Sequence, residues 1–409
     1  MVKVLVRLVI LTDDLTGALD TGVQLSKAGI KTLVSLKVNF RSDYEVLVFD
    51  LKSRHLPRDD AYRLVFEAAR EAFENGAGLV YKKVDSALRG NIGSELEALL
   101  HASGVNRLLF IPAYPKNNRI TIGGVHWING AKVAESIFAH DPFEPVRHSN
   151  VADIISEQSS VNVETSVRKN GLEPVIEVLD AKNENDLLNI ARNLSTNALP
   201  PALAGCAGFA AYLPKLLHLQ KAETESINKS KSVLVISGSL NSTAIRQIQW
   251  AKNNGYRVFT LTREQKLTPE YWLNNENDNL ISAIDSEMGR NGIVIVETVQ
   301  EESDLFAETA GKSKTDLEKN RQLVQSNLAA LTSLLLKKIK VDSLVVVGGD
   351  TLRGILENLG VEQIIPADEI APGIVISQIK YCGNDLYLVS KSGGFGQEHT
   401  LGAIFSYLF

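Results

Sequence analysis

The sequence predicts an α/β protein made of two α/β lobes, each on a mainly parallel sheet, with an active-site cleft between them. Three observations carry this expectation. Short apolar runs alternate with helix-length amphipathic stretches, which is the rhythm of βαβ units. A polar run, "KAETESINKSK" at 221–231, interrupts the rhythm, which then restarts; it separates residues 1–222 from residues 231–409. In both halves the turns after the strand-like runs are rich in charge, glycine or hydroxyl groups, and open α/β sheets bind ligands at such turns.

In chain order, VLVRLVIL (4–11), EVLVFDL (45–51), GLVYKKV (78–84) and RLLFIPA (107–113) read as buried strands, because strands covered on both faces are continuously apolar. Helical patterns lie between them at 15–28, 58–75 and 93–102. RITIGGVHWING (119–130) alternates and turns at Gly124 and Asn129–Gly130, as a hairpin does. PVIEVLDA (174–181) and ALAGCAG (202–208) resume the strand pattern, each followed by a helix. The second half restarts with VLVISG (233–238), RVFTL (257–261), GIVIVET (292–298) and SLVVVGG (343–349), and ends as strand, glycine loop and helix.

The 409 residues are long enough for two or three domains. The net charge of −5 argues against nucleic acid or an anionic membrane as partner. The first apolar run is broken by Arg7 and lacks a small-residue cleavage site, and no run approaches the length of a membrane span. The two cysteines, Cys206 and Cys382, form no C-x-x-C pair and suit a reducing compartment. A cytoplasmic protein is expected. The oligomeric state is not fixed by the sequence, and a homodimer is compatible with it.

Chemistry concentrates at the turns. "LTDDLTGALD" (11–20) puts Asp13, Asp14, Thr16 and Gly17 at a helix start. One carboxylate there is ordinary capping; a second is available to accept substrate hydroxyls or to hold Mg²⁺. "KKVDSALRGNIG" (82–93) places Asp85, Ser86 and Arg89 after a strand. An arginine there suits a carboxylate or phosphate. Lys82 and Lys83 alternate faces, so one of them at most is expected in the site. Arg119 and His126, in the loop and hairpin of 112–127, are further pocket candidates. In the second half, Ser237–Gly238–Ser239, Gly348–Gly349–Asp350–Thr351 and the Gly393, Gly394, Phe395, Gly396 loop each follow a strand. Three such turns point to a nucleotide. Asp350 is a candidate for metal contact or for a base. Gly311–Lys312–Ser313 mimics the end of a P-loop, but Phe306 stands where its first glycine is required.

Taken together, "DDLTGALD", "KKVDSALRGNIG", "PAYPKNNRITIGGVHWING", "FAHDPFEPVRHS", "ISGSLNSTAIRQI", "VVVGGDTLRGIL" and "SKSGGFG" resemble the four-carbon acid sugar kinase family, in the family's order and across nearly the whole chain. The resemblance implies an N-terminal sugar-acid-binding domain and a C-terminal nucleotide-binding domain, and transfer of phosphate from ATP to the terminal C4 hydroxyl. It implies a substrate site at Asp13, Asp14, Lys83, Asp85, Ser86 and Arg89. The ATP site would lie at Ser239, the Gly348–Thr351 turn and the Gly393–Gly396 loop, with Mg²⁺ bridging phosphates and its protein ligands unassigned. "DSALRGN" is similar to members that take D-threonate or D-erythronate rather than 3-oxo-tetronates. Arg89, with Lys83, would pair with the substrate carboxylate, and Asp14 or Asp350 would serve as base. The rival from another class, an NAD-dependent dehydrogenase, is disfavoured because "GGFGQEH" puts His399 where a dinucleotide fingerprint needs glycine.

Overall fold

The computed structural model describes residues 5–40, 43–141, 144–165, 173–219, 221, 227–276, 279–299 and 314–409. The P-loop-like Gly311–Ser313 lies outside these residues, as does part of the 221–231 boundary stretch. The chain divides into two compact units, Met1–Thr224 and Glu225–Phe409.

The strands of the first unit, in chain order, are β1 (Leu8–Thr12), β2 (Thr32–Ser35), β3 (Val46–Asp50), β4 (Leu79–Lys83), β5 (Arg107–Ile111), β6 (Arg119–Ile122), β7 (Val125–Ile128), β8 (Ala131–Lys132), β9 (Asn162–Glu164), β10 (Val175–Val178) and β11 (Ala202–Gly205). Eight of them form a sheet in the order β2-β3-β1-β4-β11-β5-β10-β9, every pair parallel. Every residue of β1, β3 and β4 is buried, so these runs are apolar throughout rather than alternating, apart from polar residues at their ends. Each buried Leu, Ile or Val contributes about 1.5–3 kcal/mol. β1 lies between β3 and β4, so its two neighbours carry their following loops to either side of the Asp13–Asp14 turn. β6, β7 and β8 form a separate antiparallel sheet that turns at Gly123–Gly124 and Asn129–Gly130.

The second unit has β12 (Val233–Ser237), β13 (Arg257–Thr260), β14 (Ile293–Glu297), β15 (Ser343–Val347), β16 (Gln363–Ala371), β17 (Ile374–Tyr381) and β18 (Asn384–Lys391), in the order β13-β14-β12-β15-β18-β17-β16. The run from β13 to β18 is parallel, and β17 pairs antiparallel with both β18 and β16. β12, β15 and β18 are consecutive neighbours, so their three following turns share one edge of the sheet. The helices Ser242–Asn253 and Thr400–Leu408 cover one face through Ala244, Ile248, Leu401, Ile404 and Phe405. The β16–β17 strands and the 25-residue helix Lys314–Lys338 have no counterpart in the pattern read from the sequence.

Candidate active site

In the first unit, three turns converge beyond β1, β3 and β4. Asp14 caps the helix Leu15–Lys27: its Oδ1 accepts from Gly17 N at 2.9 Å and its Oδ2 from Thr16 Oγ1 at 2.7 Å. A Cβ on Gly17 would press on Lys83 Nζ and Asp14 Oδ1, so a side chain there would displace that ammonium. The bare glycine backbone lets the ammonium approach to 3.9 Å from Asp13 Oδ1 and 3.8 Å from Asp14 Oδ1. Lys82 points the other way and pairs at 2.9 Å with Glu95, which also accepts from Ser53. The two lysines thus split between faces, and Lys83 is the one at the site.

Arg54, absent from the residues singled out in the sequence, is the hub. Its Nε donates to Asp13 Oδ2 at 2.8 Å and its Nη1 to Asp14 Oδ2 at 2.9 Å; Nη2 lies 3.7 Å from Asp85 Oδ1. Asn91 holds its loop by donating to the carbonyls of Ser53, Arg54 and Leu56. Burial would raise the Asp14 carboxyl and lower Arg54 and Lys83, but the opposed charges win. Asp14 is held well below the usual carboxylate range by Arg54 and Lys83, while Arg54 and Lys83 are held above their ordinary values by Asp13 and Asp14.

Leu88, at φ 62°, and Gly90, at φ 84°, fold the third turn back on itself. Arg89 then grips Asp85 with two side-chain hydrogen bonds, at 2.7 and 3.1 Å, and reaches Asp141 at 3.0 Å. This leaves one N–H on each terminal nitrogen of Arg89. Burial raises Asp85, yet Arg89 and Arg54 together hold it well below the carboxylate range. Ser86 accepts from Arg119. Both Arg89 and Arg119 lie over the Phe138 ring, at 5.1 and 5.5 Å from its centroid.

His126 is fully buried behind this turn. Its Nε2 is 3.0 Å from the Ser86 carbonyl and its Nδ1 3.0 Å from Thr121 Oγ1. The carbonyl needs a donor, so Nε2 carries the proton and Nδ1 accepts. Burial pushes the ring down to about 4, so it is neutral at pH 7 and serves to brace the Ser86 turn.

Two polar groups in this cluster are left with spare capacity. Asp13 is 2% exposed and its Oδ1 has no hydrogen-bond partner among the described residues. Arg119 forms no ion pair within 4 Å among the described residues; it donates to the Ser86 hydroxyl and lies over the Phe138 ring, with Asp85 acting on it from farther away. Burial lowers its ordinary value. A buried acceptor and an unpaired guanidinium together suit a small molecule that carries hydroxyls and one negative charge.

In the second unit the turns after β12, β15 and β18 pack on one another. A Cβ on Gly238 would fall 2.3 Å from Thr351 Oγ1, and one on Gly393 would fall 2.1 Å from Ser239 Oγ. Ser237 is buried at the end of β12. Gly348, at φ 116°, precedes the helix Gly349–Leu359, which no side chain caps, so its first-turn N–H groups are available to an anion. A Cβ on Gly394 would meet only the Asn241 side chain, at an ordinary contact distance of 3.5 Å. Asp350 accepts from Arg321 at 2.9 Å and remains largely exposed. Phe395 packs against Gly373, and Gly396 takes φ 85°.

Among the described residues no group of three or more His, Cys, Asp or Glu side chains could hold a metal ion. Mg²⁺ that arrives on nucleotide phosphates needs only one or two protein carboxylates, and Asp350 beside the glycine turn meets that requirement.

Known proteins agree with this division. The sugar-binding N-terminal domain family matches residues 8–213, and the nucleotide-binding C-terminal domain family matches residues 234–401. The D-threonate kinase of Salmonella typhimurium is 30% identical, with 97% of this chain and 96% of that protein covered. The D-erythronate kinase of Heliobacterium modesticaldum is 29% identical over 90% and 88%. The crystal structure of Haemophilus influenzae protein HI1011 shares the fold, with a TM-score of 0.73 at 22% identity over 98% of this chain and 100% of that one. The chain belongs to the four-carbon acid sugar kinase family.

Proposed function

We propose that this kinase transfers the γ-phosphoryl group of ATP to the C4 hydroxyl of D-threonate. Two features support this reading: a buried Asp13 Oδ1 that accepts no hydrogen bond among the described residues, with only the Lys83 ammonium 3.9 Å away, and an Arg119 guanidinium that forms no ion pair with a carboxylate among the described residues. A four-carbon hydroxy acid supplies both complements: hydroxyl donors for Asp13 and a carboxylate for Arg119. Arg89 contributes its two remaining N–H groups, and Lys83 adds positive charge beside the hydroxyls. The likeness to the Salmonella typhimurium D-threonate kinase supports the choice of acid.

In this mechanism the C4 O–H bond breaks as its proton passes to Asp13 Oδ1. The C4 oxygen bonds to the γ-phosphorus while the bond to the β-phosphate oxygen breaks, and ADP leaves. Asp14 has its oxygens committed to Gly17, Thr16 and Arg54 and is held strongly ionised, which makes it a poor base. It fixes Arg54, and through Arg54 it fixes Asp13. The glycine turns of the second unit would receive the phosphates, and Asp350 would help hold Mg²⁺, which would supply positive charge against the phosphates when bound. Phosphoryl transfer depends mainly on such alignment and charge neutralisation, and a positioned base adds ~10²–10⁴-fold.

D-Erythronate differs from D-threonate only in configuration beside the carboxylate, and a 3-oxo acid offers one hydroxyl donor fewer. An unpaired buried acceptor costs about 1–3 kcal/mol, so preferences of roughly 10–10²-fold are expected. ADP release measured with D-threonate, D-erythronate and 3-oxo-tetronate is the test. Highest kcat/KM with D-threonate supports the reading; higher kcat/KM with either competitor contradicts it.

A further inference from the structure

Resting on the reading of the second unit as the ATP seat, we infer that Lys391 and Gln247 are positioning residues that turn the amide face of the 392–397 glycine loop toward the nucleotide's phosphates. Lys391 ends β18 and is 1% exposed, although it is a lysine beside a surface loop. Its Nζ donates to the carbonyls of Ser392, at 3.0 Å, and Gly393, at 3.3 Å. Gln247, 1% exposed on the helix Ser242–Asn253, donates through Nε2 to the carbonyls of Phe395, at 3.0 Å, and Gln397, at 2.9 Å. Two buried side chains from different elements thus capture four carbonyls of one six-residue loop.

A planar trans peptide points its C=O and the following N–H in opposite directions. With the carbonyls of Ser392, Gly393 and Phe395 drawn inward, the N–H groups of Gly393, Gly394 and Gly396 point away from the buried donors. Among the described residues none of the three meets an acceptor. The Phe395 N–H, by contrast, closes the turn onto the Ser392 carbonyl at 3.2 Å. Three outward amides on one loop form an anion-binding concavity. Burial pushes the Lys391 ammonium down to about 7, with no other influence resolved on it. An anion bound above the loop would favour the protonated form of this amine, so the two charges would reinforce each other. A role in packing alone is served better by an apolar residue of the same length, because burying an amine is costly.

The test uses the full chain with Lys391→Met, Gln247→Met and Gly394→Val, reading ATP affinity by calorimetry, KM and kcat for both substrates, and the melting temperature. Lys391→Met removes two hydrogen bonds and keeps the apolar stem. It is expected to raise the Kd and KM for ATP about tenfold or more, with an equal or higher melting temperature and a KM for the sugar acid within about twofold. Gln247→Met is expected to act in the same direction, and carries the test if Lys391→Met does not fold. Unchanged ATP affinity in both methionine variants, alongside lost affinity in Gly394→Val, overturns the positioning role and leaves the ATP seat standing. Unchanged ATP affinity in Gly394→Val overturns the ATP seat itself. A loss of affinity in the methionine variants accompanied by an equal rise in the sugar-acid KM also overturns the inference, because it marks a general structural defect.

Discussion

Arg54 Nε and Asp13 Oδ2 are joined by a 2.8 Å hydrogen bond although 41 residues separate them in the chain. The same guanidinium reaches Asp14 at 2.9 Å, so one side chain sets the geometry of both carboxylates. Arg54→Lys keeps a positive charge and loses the fork. Breaking part of a buried ion cluster costs about 3–5 kcal/mol. The variant is expected to melt lower and to lose on the order of 10²-fold or more in kcat/KM for the sugar acid. Activity within threefold of the parent would remove Arg54 from the centre of the site.

Asp13→Asn keeps the shape of the side chain and removes the proton acceptor. A fall in kcat on the order of 10²–10⁴-fold is expected, with ATP affinity unchanged by calorimetry. Asp14→Asn is expected to act differently: the helix can keep its cap, but an amide N–H₂ replaces the oxygen that Thr16 and Arg54 bond, which lowers stability and leaves Arg54 undercompensated. If Asp13→Asn retains kcat while Asp14→Asn loses it, the base is misassigned.

His126 gives the first unit a defined acid response. Its folded value of about 4 lies below the ordinary 6.5, so the native state binds fewer protons between these limits and stability rises with pH across them. The associated stability is full above pH 6.5 and is lost as pH falls toward 4, amounting to about 3 kcal/mol. Asp14 and Asp85 are also depressed, and their contribution disappears only below about pH 4. Denaturant unfolding at pH 7 and pH 4.5 is expected to show the loss in the parent and a flatter response in His126→Gln. An equal response in both would mean that His126 is not the titrating group.

Much of this was legible because parallel strands are buried on both faces. Val233–Ser237 and Ile293–Glu297 are fully buried, and such runs stand out as apolar blocks bounded by turns. β16 was not legible: Gln363–Ala371 is mostly half-buried and contains Pro366, so no apolar block marks it. The turn between β17 and β18 uses Cys382 and Gly383, at φ 48° and 81°. That is the geometry of a two-residue hairpin, but cysteine is not the residue that usually announces it. Arg54 sits in a loop without glycine, and only the pairing of β1 with β3, Thr12 opposite Asp50, brings it beside Asp13. Its partners are set by sheet order, which residue pattern does not encode. Arg89, by contrast, was visible as a site arginine, but its engagement with Asp85 and Asp141 leaves Arg119 as the more available cation.

The most direct measurement is calorimetric titration of D-threonate and of ATP into Arg119→Gln and Gly394→Val, each compared with the parent. A charge-assisted hydrogen bond contributes about 1.5–3 kcal/mol. Arg119→Gln should therefore bind D-threonate roughly 10–10²-fold more weakly and ATP as the parent does, and Gly394→Val should show the reverse. Loss of ATP binding in Arg119→Gln, or loss of D-threonate binding alone in Gly394→Val, would contradict the placing of the acid on the first unit and the nucleotide on the second.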